Sequence, residues 1–232
     1  MRKRNALWVL LCLLLCLGLG GCSMTRFSAD VYVSGLLDQT YRGECDETYL
    51  ALVDLSEEDV QQAYEEGLES ELERFAGVFG LDTERLGDDL REQFIEFLEH
   101  LYTYARWEVG PATHSESGAW LVEVTVRPVE YLALLRAEEL PEFTQTFQQD
   151  HAQLGLEELE GAEMEKALTA CALEWAQGIL DLCQGNLDLL INGEAVTVAV
   201  RVAPDEQGVY RIGGADFAMV DGLILLYSGT YG

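Results

Sequence analysis

The sequence predicts an α+β fold, an N-terminal helical hairpin and later helices packed on an antiparallel, mostly hairpin-built sheet. Three observations predict it. Apolar residues recur at spacings of three and four from Val60 to Phe79 and again from Leu86 to Tyr104. The period drops to two around Trp107, from Trp120 to Val126 and from Val196 to Val202. Helical segments return between these strands and after them, an order that places helices on one face of an antiparallel sheet.

Taken in order, Ala29–Arg42 reads as a first helix, with Val31, Val33, Leu36 and Leu37 as its apolar face and Gly43 as its stop. Thr48–Leu55 reads as a short, turned connection. Ser56 opens the next helix. Ser56-Glu57-Glu58-Asp59 approximates a capping box, and Leu55 and Val60 stand where a hydrophobic staple would close. Val60, Tyr64, Leu68, Leu72, Phe75 and Phe79 form its core stripe. Gly80 suits the position just past the helix, and Asp82 is placed to cap its successor. Leu86, Leu90, Phe94, Phe97, Leu101 and Tyr104 repeat the stripe. Two such helices joined by about three residues form an antiparallel αα-hairpin.

Trp107 and Val109 then alternate with Arg106 and Glu108, and His114–Gly118 is a polar turn. Trp120, Val122, Val124 and Val126 alternate until Pro128 ends the run, which predicts a hairpin with one buried face. Helical segments follow over Glu130–Ala137, Pro141–Leu154 and Glu157–Gln184. The last has Met164, Leu168, Cys171, Trp175, Ile179 and Leu182 as its face. Asn192-Gly193 predicts a two-residue hairpin turn between Leu187–Ile191 and Ala195–Val202. Pro204–Gly208 is a turn, Val209–Ile212 a return strand, and Asp216 caps a final helix over Phe217–Leu226.

Ahead of this domain stands a different kind of segment. Arg2, Lys3 and Arg4 precede an apolar run from Ala6 to Leu19, which is followed by Leu19-Gly20-Gly21-Cys22. Fourteen residues make about 21 Å of helix, short of the roughly 30 Å hydrocarbon core, so the run reads as a signal peptide. The expected organisation is a cleaved signal over residues 1–21, a lipidated Cys22 with a short tether through residue 28, and a single α+β domain from 29 to 232. An ordinary secretory signal is one alternative, and modification at Cys12 or Cys16 another; neither of those cysteines follows two small residues. Two acyl chains on Cys22 would hold the protein stably in a membrane. The six residues Ser23–Ser28 reach only about 20 Å.

Cleavage before Cys22 removes three basic residues and no acid, which takes the net charge from −28 to −31. Glu44–Glu99 alone holds 19 acids against Arg74, Arg85 and Arg91. Such a surface excludes nucleic acid as a partner, because that affinity comes from Lys and Arg neutralising phosphates. The acidic faces read as solvated helix surfaces. The remaining cysteines are Cys45, Cys171 and Cys183. Cys171 and Cys183 lie 12 residues apart on one helix, about 18 Å, so they cannot bridge; Cys45 could pair with either, and three buried thiols is the default.

No catalytic constellation is visible. There is no GxSxG, HExxH, SxxK or Gly-rich phosphate loop, and no CxxC or EF-hand spacing. His100, His114 and His151 show no ligand spacing, so neither a metal nor another cofactor is expected. Tyr102, Tyr104, Trp107, Trp120 and Tyr131 cluster around one predicted hairpin, where they form either a pocket between sheet and helices or plain core.

Tyr41-Arg42-Gly43-Glu44, Ser56-Glu57-Glu58, Trp107-Glu108-Val109, Val122–Pro128 and Gly208-Val209-Tyr210-Arg211-Ile212 together resemble a pattern of small lipoproteins of Gram-positive bacteria. That resemblance implies a compact α+β domain and brings no catalytic residues. The order of helices and curved sheet is also similar to NTF2-like cones, from which the helices after Pro128 depart. The leading expectation is a non-enzymatic, lipid-anchored binding or scaffolding domain at the outer face of the cytoplasmic membrane. It would meet an envelope protein or a small ligand there. The alternatives are a small-ligand receptor with an aromatic-lined pocket, such as a transporter-associated binding protein, and an envelope hydrolase using paired carboxylates.

Overall fold

The computed structural model describes residues 27–152, 159–187 and 190–229. Cys22 and the signal segment lie outside the described residues. The fold is α+β. Its N-terminal half is helical: α1 (Ala29–Arg42), α2 (Glu47–Val53), α3 (Glu57–Phe79), a 3₁₀ turn (Thr83–Arg85) and α4 (Asp88–Tyr102). Strands β1 (Arg106–Val109), β2 (Thr113–His114) and β3 (Trp120–Arg127) follow. Then come α5 (Tyr131–Glu138), α6 (Leu140–His151), α7 (Gly161–Gly185), β4 (Val196–Pro204), β5 (Tyr210–Ile212) and α8 (Gly214–Ile224).

The sheet is antiparallel throughout, in the order β1-β3-β4-β5, with β2 beside the same edge of β3 as β1. Its period-two pattern has the expected consequence. Val122 pairs with Val200, and both side chains are fully buried. One residue along, Leu121 is 41% exposed. On that solvent face the hydroxyls of Thr125 and Thr197 meet at 2.8 Å across the β3–β4 pair.

The α3 stripe is borne out in full, whereas Val31 and Leu36 of α1 and Tyr104 beyond α4 are only half-buried. Val60, Tyr64, Leu68, Leu72, Phe75 and Phe79 are all buried on α3, and Phe75 packs against Phe94 and Phe97 of α4. Ser56 and Asp59 form a reciprocal capping box. Gly43 and Gly80 stop α1 and α3 in the left-handed conformation.

Several local expectations are corrected. The segment Thr48–Leu55 is mostly helix: Asp46 accepts the Tyr49 amide at 2.7 Å and starts α2, and Asp54, at φ 56°, ends it. Leu55 is 38% exposed, so it makes a poor staple for the buried Val60. Asp82 precedes only the 3₁₀ turn and makes no side-chain cap; α4 begins at Asp88 after Gly87. The α3–α4 connection is therefore longer than three residues, with Leu86 buried beneath it. On α7 the buried face is Ala176, Ile179, Leu180 and Cys183, whereas Leu168 is 38% exposed. Asp216 lies inside the first turn of α8, where its carboxylate accepts the Arg201 amide of β4 at 2.8 Å.

Asn192-Gly193 is not a hairpin turn. Neither residue has positive φ, which a type I′ turn requires at both. Instead the Asn192 amide donates to the carbonyls of Tyr104, Arg127 and Pro128 at 3.0, 3.3 and 3.5 Å, stitching the end of α4 to the end of β3. A Cβ at Gly193 would stand 2.1 Å from Glu130 Oε1, the far end of a flexible side chain that can swing aside. The partner of β4 is β3, reached by way of α5, α6 and α7.

Candidate functional site

Two places combine features that solvated surface or plain core would not explain. The first is a groove where the described chain begins. Its floor is set by α1 and α2, which touch because Gly35 lacks a side chain: a Cβ there would lie 2.2 Å from the Tyr49 ring. Tyr49 is buried and donates its hydroxyl to Gln39 Oε1 at 2.6 Å. The opposite wall is the β4–β5 hairpin. Phe27 stacks on Tyr210 of β5, with ring centroids 4.0 Å apart and planes 14° from parallel. Tyr32 bonds the backbone of Ile212.

Asp205 ties down the hairpin tip by accepting from the Gln207 and Val209 amides and from Arg211 Nε, each at 2.9 Å. Those bonds, the Arg211 contact foremost, hold its carboxyl below the usual aspartate value. The groove measures about 580 Å³. Phe27, Leu36, Leu52 and Val209 contribute apolar surface to it, and its lining carries one acid, Asp54, and one base, Arg211. Val209 is 50% exposed at its rim.

The second place is a buried acid–tyrosine cluster between α1, α3, α4 and the C-terminal segment. Glu71 of α3 is only 4% exposed. It accepts from the Tyr227 hydroxyl at 2.6 Å, bonds Tyr102, and pairs with Arg74 at 3.3 Å. Arg74 reaches on to Asp221 of α8 at 2.5 Å, and Asp221 accepts from Tyr41 of α1 at 2.8 Å. Burial pushes the Glu71 carboxyl above its ordinary value despite these donors. Burial likewise raises the phenols of Tyr41, Tyr102 and Tyr227, with the neighbouring carboxylates adding to it.

This is a carboxylate pair with one raised pKa, the kind of signal that marks catalytic acids. Its bonds close on the chain itself. Both carboxylates are held by one guanidinium, and each accepts from a tyrosine of the same chain. Neither lines the groove at Phe27 or the one described next. Chemically the cluster is a lock between the N-terminal helices and the chain's last described segment.

A further groove of about 490 Å³ lies over Tyr41 and Tyr102, rimmed by Arg42, Glu44, Glu96, Glu99 and His100. Burial, helped by Glu99, pushes the Tyr64 phenol in its wall up to about 12. Arg42 stacks over the Trp107 ring at 4.0 Å and pairs with Asp38 at 2.7 Å. Among the described residues no three His, Cys, Asp or Glu side chains are grouped to hold a metal ion.

No family profile matches this chain, and no curated protein does. One solved structure shares its fold: the crystal structure titled "putative lipoprotein (ycdA)" from Bacillus subtilis, with a TM-score of 0.50 at 12% identity. The match covers 83% of this chain and 54% of that one, so the chain spans about half the length of its structural neighbour. At this identity the likeness concerns architecture alone.

The residues singled out by sequence are dispersed. Tyr102 is buried in the acid–tyrosine cluster, and Tyr131 is buried with its hydroxyl on the Cys183 carbonyl. Trp107 lies under Arg42, Trp120 meets the edge of His114 at 4.6 Å, and Tyr104 meets His100 at 5.3 Å. Tyr102 and Trp107 both pack on Tyr41, yet among the described grooves none is lined by more than one of the five. His151 stacks on Phe147 and faces Glu174 at 3.2 Å. Cys45, Cys171 and Cys183 are free thiols, and only Cys183 is buried. Sequence reasoning missed Glu71, although its position held the signal: Tyr64, Leu68, Glu71 and Phe75 follow at four, three and four, which puts the acid on the buried stripe.

Proposed function

We propose that this chain is a lipid-anchored, non-catalytic binding or scaffolding domain held against the outer face of the cytoplasmic membrane. The observation that carries the reading is the distance between a lipobox-like sequence and packed structure. Leu19-Gly20-Gly21-Cys22 ends five residues before Phe27, whose ring is already stacked on Tyr210. A cysteine acylated at that point would keep the domain at the bilayer with almost no stalk. The Bacillus subtilis neighbour, itself described as a lipoprotein, supports the same class. Among the described residues no helix is long and apolar enough to cross a membrane.

The non-catalytic part rests on the acid–tyrosine cluster, whose only buried acid is occupied by its own donors. A small-ligand receptor would draw on the groove at Phe27, lined by Phe27, Tyr32, Tyr49 and Tyr210, and not on the five aromatics that the sequence singled out. Metabolic labelling with an alkyne fatty acid tests the anchor. The wild-type protein is expected to take the label and sediment with membranes, and Cys22→Ala to do neither. Labelling that persists in Cys22→Ala overturns the assignment. Crosslinking in cells tests the partner class: recovery of no envelope protein above a soluble control counts against scaffolding.

A further inference from the structure

We infer that the groove under Phe27 is the face this domain lays on the bilayer, open to the acyl chains of outer-leaflet phospholipid. The inference rests on the anchor reading and extends it from an attachment point to an orientation. Five Cα steps separate Cys22 from Phe27 and span at most about 18 Å. Phe27 is no free end: it forms part of the groove wall and is stacked on β5. An acyl group on Cys22 therefore draws this side of the molecule toward the lipid, ahead of any other.

The chemistry of that side suits the position. On a chain of net charge −28 the groove lining carries one acid and one base. Of the two acids at the hairpin tip, Asp205 is bonded to Arg211 and Glu206 is exposed. Leu55 and Val209, 38% and 50% exposed, stand on opposite walls. Exposed apolar side chains at the point of tethering need little affinity of their own, because a short tether supplies a high effective concentration. The acids Glu57 and Glu58 at the start of α3 favour zwitterionic over anionic lipid as the surface.

The full-length lipidated protein, reconstituted in phosphatidylcholine vesicles that contain a phosphatidylcholine with a diazirine in one acyl chain, tests this. After photolysis, mass spectrometry locates the adducts and weighs the group on Cys22. Adducts are expected on Leu52–Leu55 and Val209–Arg211, and they should be lost in a Leu55→Glu, Val209→Glu variant whose Cys22 keeps its acyl mass. Acylated Cys22 with adducts on α7, spread evenly, or confined to residues 22–26 overturns the orientation and leaves the anchor standing. A protein that sediments as a dimer and takes no adducts on this face would assign the face to self-association and overturn it as well. Absence of acyl mass on Cys22 overturns the anchor reading, and this inference with it.

Discussion

Replacing Tyr227 with Phe removes one hydroxyl and nothing else from the lock that holds the C-terminal segment. That hydroxyl donates at 2.6 Å to Glu71, a carboxylate only 4% exposed. Hydrogen bonds to charged groups contribute about 1.5–3 kcal/mol. Tyr102 and Arg74 remain on the carboxylate, so a loss in the lower half of that range is expected. For a chain of this length about 2 kcal/mol lowers Tm by roughly 4–8 °C.

Urea unfolding followed by circular dichroism reads the loss, and a double-mutant cycle with Glu71→Gln isolates the pair. The pH dependence carries an independent sign. Burial raises the folded pKa of Glu71 above its ordinary 4.5, so within that window the native state binds more protons than the unfolded chain. Its contribution to stability is therefore present at low pH and lost as pH rises through the folded pKa. Glu71→Gln should abolish that component. Tyr227→Phe, which withdraws a donor from the ionised form, should widen it. The ion-paired Asp205, with its lowered pKa, contributes with the opposite sign, so the comparison is between variants. A Tyr227→Phe loss under about 0.5 kcal/mol, with no coupling to Glu71, would refute the lock.

Three further outcomes are expected. Gly35→Ala places a methyl 2.2 Å from the Tyr49 ring, and such overpacking typically costs about 1–3 kcal/mol; chemical denaturation that shows no loss would mean α2 does not rest on α1. Asn192→Ala strips a donor from three carbonyls, with an expected cost of about 0.5–1.5 kcal/mol in the same assay, and an unchanged midpoint would contradict the stitch. In timed thiol titration of the native protein Cys45 and Cys171 should react first. Cys183, fully buried and with its pKa pushed up to about 12 by that burial, should wait for unfolding; equal rates for all three would contradict its placement.

What the sequence made legible follows from range. The capping box at Ser56, the stop at Gly80 and the α3 stripe are encoded within a few residues of themselves. The strand alternation at Val122–Val126 and Val196–Val202 is legible for the same reason. The seven-residue α2 is too short for its periodicity to register beside the longer helices. At Asn192-Gly193 a strong local turn signal was overridden, because the Asn192 amide and the Gly193 N–H bond carbonyls at the ends of α4 and β3 instead. Here tertiary demand outweighed propensity.

By itself, then, the sequence determined the α+β class, the α3 stripe, the buried face of the sheet, the acidic surface, and the expectation of an acylated Cys22. The tertiary structure alone decided that Phe27 stacks on Tyr210 and that Glu71 faces Tyr227, 156 residues away. Both contacts join segments with no local relation to each other. The register of such segments is set only once the core between them has closed.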